Sequence, residues 1–293
     1  DNNINFKGIL FIMKANELYA QLEKDFMTPE LHDDWFQYMD EISGFICENF
    51  KKRSVGLLCD FADEVTKVYT AVFPSKKVMQ KILNDGVENA MLFVHHPSDW
   101  DINKTPVFFQ MDKDLLQMFK DKKISIFNYH VPLDNYGKYS TSMSLAKALG
   151  LVVKKPFAPY GGGVCGLLCD TKFSNVADLK KKFAEVVGHK VGLYKYGSDD
   201  IKKGVALVAG GGNDVEILQE VVDAGVNVFV TGVSVNNAFA KEPHEFASKN
   251  KINILGGTHY STEKFACIAM VDYFSSLGLD SEFVAGDVCL GDM

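Results

Sequence analysis

The chain has 293 residues, 47% hydrophobic and 24% charged. That leaves room for one large or two modest domains and excludes disordered, collagen-like and low-complexity classes. A formal net charge of −7 gives no general attraction for polyanions, so nucleic acid is not an expected partner. No apolar run approaches the roughly 20 residues that cross a bilayer, so no membrane span is expected.

In chain order, residues 1–12 carry a short apolar stretch with no cleavage signal. They read as an N-terminal extension ahead of a natural start at Met13, in a cytoplasmic protein. Residues 15–50 have helical spacing, with Leu18, Leu22 and Phe26 four apart and a second helix expected through HDDWFQYMDEISGFICENF. From Ser54 the texture becomes β-rich: VGLLCDF, VTKVYTAVF, NAMLFVHH, KISIFNYH, GVALVAG, VNVFVTG and INILGG alternate with amphipathic stretches such as SKKVMQKILNDG and NVADLKKKFAEVVG. Strands alternating with helices predict an α/β fold with largely parallel or mixed, covered sheets. A break around Lys154–Gly163, rich in Pro and Gly, divides it into two interlinked lobes. Residues 13–150 with 258–293 form the first, and 151–257 the second.

Six cysteines lie mostly inside apolar runs, as expected of reduced, buried thiols. Cys165 and Cys169 read as lying on one face of a strand. Gly210, Gly211 and Gly212 sit between a strand and a helix. Such a turn can present amides to a phosphate or be a tight connection capped by Asn213 or Asp214.

The histidines carry the most information. His95-His96-Pro97, His130 with Asp134 four residues on, and His259 with Glu263 four residues on all follow apolar strands. Ligand crevices of parallel α/β sheets lie outside the carboxyl ends of strands, so three strands can deliver these groups to one place. Pro97 ends its strand and lets both preceding imidazoles turn inward. His259 and Glu263 share one face of a helix that starts after Gly256-Gly257, capped by Ser261 or Thr262. For His130 and Asp134, Pro132 favours a turn over a helix. Imidazole and carboxylate without thiolate suit Zn, Mn, Fe, Co or Ni. Each segment alone also fits a hydrogen-bonding core histidine; the convergence of three favours a metal site. Trp100, Tyr129 and Tyr260 flank these groups as possible pocket walls.

In this order, HHP, HVPLD, the TG at Thr231-Gly232 and GTHYSTE resemble the NGG-interacting-factor-three-like family, also labelled GTP cyclohydrolase I type 2 homologs. The resemblance spans most of the chain from Met13. It implies a dinuclear metal centre, with His96 and Asp134 on one ion, His95 and His259 on the other, and Glu263 on both. His130 matches the family's histidine beside the centre, next to the ligands or an occasional ligand itself; as the histidine left over once the ligands are counted, it is expected to be a general base or proton shuttle. The resemblance also implies two-lobed subunits in a hexameric toroid. Where the family has TGD and a paired His, this chain has Val233, Asn236 and Asn237, and an early Trp-Asp-Asn does not precede Val55-Gly56-Leu57.

The expectation is therefore a protein binding two divalent metal ions per chain. As an enzyme it is a two-metal hydrolase acting on a nucleotide or related small molecule, with phosphorylated compounds among the candidates. The alternative is a non-enzymatic hexameric metal-binding scaffold, metal store or sensor.

Overall fold

The computed structural model describes residues 12–293; the expected extension, residues 1–11 of it, lies outside the described residues. In chain order the elements are α1 (Ala15–Phe26), α2 (Glu48–Arg53), β1 (Gly56–Cys59), β2 (Lys67–Ala71), α3 (Lys76–Asn84), β3 (Ala90–Val94), α4 (Lys113–Asp121) and β4 (Ile124–Asn128). Then follow α5 (Val131–Asp134), α6 (Thr141–Leu149), β5 (Val152–Tyr160), β6 (Gly163–Asp170), α7 (Val176–Val187), β7 (Gly192–Tyr194) and β8 (Val205–Val208). The chain continues through α8 (Val215–Asp223), β9 (Val228–Thr231), α9 (Lys241–Lys249), β10 (Asn253–Gly256), α10 (His259–Ser276) and β11 (Asp280–Phe283).

Two mixed sheets result, and the expected α/β class holds. The first runs β11-β2-β3-β4-β1, parallel except for β1. The second runs β7-β10-β9-β8-β6-β5, with β8, β9 and β10 parallel at its centre. Both parallel centres are buried on two faces: β3 (AMLFV) and β8 (VALV) have no exposed residue. That is why they read as continuous apolar runs rather than alternating ones.

Two local expectations fail for identifiable reasons, and a third segment takes a form the sequence did not specify. Residues 35–46 form two short 3-10 turns rather than a helix. Trp35, Met39, Ile42 and Ile46 are buried at helical spacing, but side chains take the backbone amides: Phe36 N–H donates to Ser54 Oγ and Ile42 N–H to Gln110 Oε1. The Pro- and Gly-rich stretch is the hairpin β5–β6, with which the second sheet begins. Gly161 and Gly162 both have positive φ, as a tight two-residue turn requires, and Pro156 and Pro159 lie on an edge strand where a missing N–H costs little. Cys165 and Cys169 pack into different clusters, because the β5–β6 ladder shifts register between Leu168 and Cys169 and strict alternation fails.

One helix joins the sheets. α10 leaves β10 of the second sheet and packs against β2, β11 and α6. Buried residues appear on every side of it, from Tyr260 to Phe274, as in a helix enclosed by a larger core.

Candidate metal centre

His95 and His96 follow β3 directly, and their amides extend the ladder to Ala71 O and Val72 O at 3.1 and 2.9 Å. Beyond β4, His130 precedes α5, a single helical turn that Pro132 tolerates because first-turn amides have no helical partner. Here the chain is helical where a turn was expected, and Asp134 closes that turn. The third segment starts α10. Its cap is Thr258, reciprocally bonded with Ser261, so the cap lies three residues before the expected Ser261 and four before Thr262, and the helix begins at His259. His259 and Glu263 then lie one turn apart on one face.

All six expected site residues come together. Nitrogen and oxygen atoms of His95, Asp134 and Glu263 lie within 4.8 Å of one another, as do those of His96, His259 and Glu263, and of His95, His96 and His130. Glu263 is the hub, 3.0 Å from His96 Nε2, 3.2 Å from His259 Nε2 and 3.4 Å from His95 Nε2. The grouping differs from the one the resemblance implies, placing His95 with Asp134 and His96 with His259. The cause is local: Tyr129 O holds His95 Nδ1 at 3.0 Å, which aims Nε2 at Asp134 Oδ1, 3.5 Å away.

The donor set fits metal ions on its own chemistry. Since His95 Nδ1–H donates to a carbonyl, Nε2 is the nitrogen left facing two carboxylates, an arrangement that needs a cation or a proton between them. His95 Nε2, His96 Nδ1 and His259 Nδ1 are buried without hydrogen-bond partners among the described residues. Burial opposes charge on His95, but Asp134 and then Glu263 outweigh it and raise the ring to about 9. Burial, aided by His95 and outweighing the attraction of Glu263, holds His96 well below the ordinary imidazole value. Burial would raise the Glu263 carboxyl, yet His259, His96 and His95 draw it well below the usual range. For Asp134 burial wins and the pKa rises.

Two contributors were not legible beforehand. Asp33 Oδ2 lies 2.8 Å from His130 Nδ1, and the indole Nε1 of Trp35 lies 3.1 Å from the same nitrogen. One nitrogen cannot donate to the first and accept from the second. The shorter contact to a carboxylate wins, so Nδ1–H donates to Asp33 and Nε2 faces Asp134 Oδ2 at 3.7 Å. Asp292, wholly buried, accepts from the His259 amide at 2.8 Å and from Trp100 Nε1 at 2.9 Å, while its own carbonyl accepts from Ser234 and Val235. The only hint of Asp33 in the sequence was a tryptophan preceded by two aspartates; nothing marked Asp292.

Of the flanking aromatics, Trp100 does line the cavity above the cluster. Tyr129 is buried in the core and contributes its carbonyl, and the Tyr260 hydroxyl accepts from Gly286 N–H. At the glycine turn, Asp214 caps α8. Thr262 Oγ1 accepts from Gly210 N–H and Thr231 Oγ1 from Gly212 N–H, as in a tight connection.

The sequence profile of the family described as Duf34/NIF3 (NGG1p interacting factor 3) matches residues 33–286. The chain belongs to this family. A relative in Borreliella burgdorferi named "GTP cyclohydrolase 1 type 2 homolog" is 26% identical over 66% of this chain and 73% of its own. One of the same name in Pyrococcus horikoshii is 25% identical over 82% of this chain and 91% of its own. Among solved structures, protein ybgI, described as of unknown function, superposes with a TM-score of 0.72 at 20% identity, covering 94% of this chain and all of that one. This last likeness speaks to the fold. No helix among the described residues is long and apolar enough to cross a membrane.

Proposed function

We propose that this Duf34/NIF3 protein is a dinuclear divalent-metal hydrolase, with His95, Asp134 and Glu263 holding one ion and His96, His259 and Glu263 the other. The observation that carries this reading is His95 Nε2 facing two buried carboxylates while its other nitrogen is committed to Tyr129 O. Two cations sharing Glu263 would lower the pKa of a bound water toward neutrality and polarise a substrate oxygen. His130 is the histidine outside both groups. With Nδ1–H fixed on Asp33, its Nε2 can accept a proton from a nucleophilic water and return it to a leaving group. Trp35, 5.2 Å from the His130 ring centre and 5.8 Å from that of His96, packs against both and limits water there.

A metal store or scaffold has no use for the cavity of about 1240 Å³ that opens onto the cluster, and that favours the enzyme. Elemental analysis of the purified protein should find two transition-metal ions per chain, and a hydrolase screen on the native metal form should find turnover. A single fully occupied ion, or ligands in separate sites, would sink the dinuclear reading. We further propose a homohexamer in the cytoplasm, since closed symmetry gives a discrete, concentration-insensitive assembly. Light scattering near the 32.6 kDa of one chain would contradict it.

A further inference from the structure

The cavity over the cluster has unlike walls. One is aromatic: Trp35 and Trp100 lie 4.8 and 4.7 Å from the Phe108 ring, and Trp100 lies 4.5 Å from His259. Val208, Ile217, Val233 and Val235 add an aliphatic part of the lining. Four aromatic side chains are strongly exposed among the described residues. Three of them, Tyr38, Tyr160 and Phe239, stand at this cavity, Phe239 at 95% exposure. Exposed apolar surface gathered at one opening marks a binding site.

The charges decide what is bound. Among the described residues the lining carries five carboxylates, Asp33, Asp34, Glu41, Asp134 and Glu263, against one cation, Lys104, whose Nζ sits 4.0 Å over the Phe109 ring. No arginine lines it, and the chain's single arginine, Arg53, is paired with Glu23. Two divalent ions would outweigh Asp134 and Glu263 and leave a floor able to receive one anionic group. Past that floor, Asp33, Asp34 and Glu41 face outgoing negative charge. A polyphosphate would find neither the bidentate arginines nor the lysines that normally grip it.

We propose that the cavity takes a planar, unphosphorylated heteroaromatic compound, neutral or cationic. Its ring lies against the Trp35–Phe108–Trp100 wall, its hydrolysable carbonyl or amidine carbon reaches the metal floor, and nucleoside triphosphates are disfavoured. This rests on the metal-hydrolase reading and narrows the expected nucleotide to the part that is not phosphate.

Trp35 and Trp100 are the only two tryptophans of the chain and both line this cavity, so tryptophan fluorescence responds to its occupation. Metal-loaded protein, its metal content measured on the same sample, is titrated with guanosine, its monophosphate and its triphosphate. Guanosine should bind at least about tenfold more tightly than the triphosphate, a difference of ~1.4 kcal/mol. Glu41→Lys alters an exposed side chain and should narrow that gap by roughly threefold at low ionic strength, with guanosine affinity unchanged. Equal or tighter triphosphate binding by protein that retains its metals overturns this inference and leaves the metal centre standing. No quenching by any of the three at millimolar concentration overturns it too, as does a gap that Glu41→Lys leaves unchanged. Absence of metal from the purified protein would instead strike the hydrolase reading.

Discussion

Each sheet has a parallel centre whose carboxyl ends point at the same cavity, and the residues placed there are opposites. After β3 and β4 of the first sheet stand His95, His96 and His130; after β8 and β9 of the second stand Gly210 and Gly232, and Gly256-Gly257 stand at the end of β10. The glycines are as constrained as the histidines. A Cβ on Gly210 would lie 2.1 Å from Glu263 Oε1, one on Gly232 2.5 Å from Gly210 O, and one on Gly256 1.7 Å from Ser234 Oγ. One sheet contributes donors, and the other contributes bare backbone so that the first turn of α10 can carry His259 and Glu263 between them. Building such a site takes side chains at one edge and their removal at the other.

The comparison can be broken at its hub. Glu263→Gln keeps volume but removes the charge that contacts three imidazoles, so about half or more of the bound metal should be lost while the fold persists. Undiminished metal by elemental analysis would show that Glu263 is not a ligand. Next comes the bare side. Gly210→Ala adds a Cβ at φ +72° against Glu263, costing about 1–3 kcal/mol and a Tm several degrees lower, with metal lost as well. Gly211→Ala, with nothing within 4 Å, should change neither; equal behaviour of the two variants would refute the claim that the glycine end is shaped by the carboxylate.

Smaller effects sharpen the donor side. Asp33→Asn should leave metal content intact and lower turnover by roughly tenfold or more, because the amide no longer fixes His130 with its proton on Nδ1. His130→Ala should behave likewise, and coincident loss of metal in either would make His130 a ligand. The mildest change is Asp292→Asn, which keeps one acceptor oxygen and loses the charge at the α10 amino end. A cost of about 1 kcal/mol in thermal unfolding is expected, and no change would mean the contact with the His259 amide is incidental.

The residues visible in the sequence were those whose chemistry is scarce. Seven histidines in 293 residues, four of them at strand ends beside carboxylates, could be read as a site without coordinates, and continuous apolar runs gave the parallel strands. Asp33 could not, because it is one of 38 acidic residues and reaches His130 across 97 positions. The pairing of His95 with Asp134 was hidden in a backbone carbonyl, which every residue has. The hairpin was not legible because Pro and Gly mark an edge strand and its turn as readily as a boundary. Residues 35–46 were misread because helical spacing records which side chains are buried and says nothing about which groups capture the amides.

α10 also bears on how the molecule comes apart. A helix that grows out of one sheet, is buried against the other and begins with two of the cluster's residues leaves neither sheet a complete core without it. The two halves are therefore thermodynamically one unit. Heat or denaturant should take both down in a single cooperative transition, and an isolated half would expose the groove from which the helix was withdrawn.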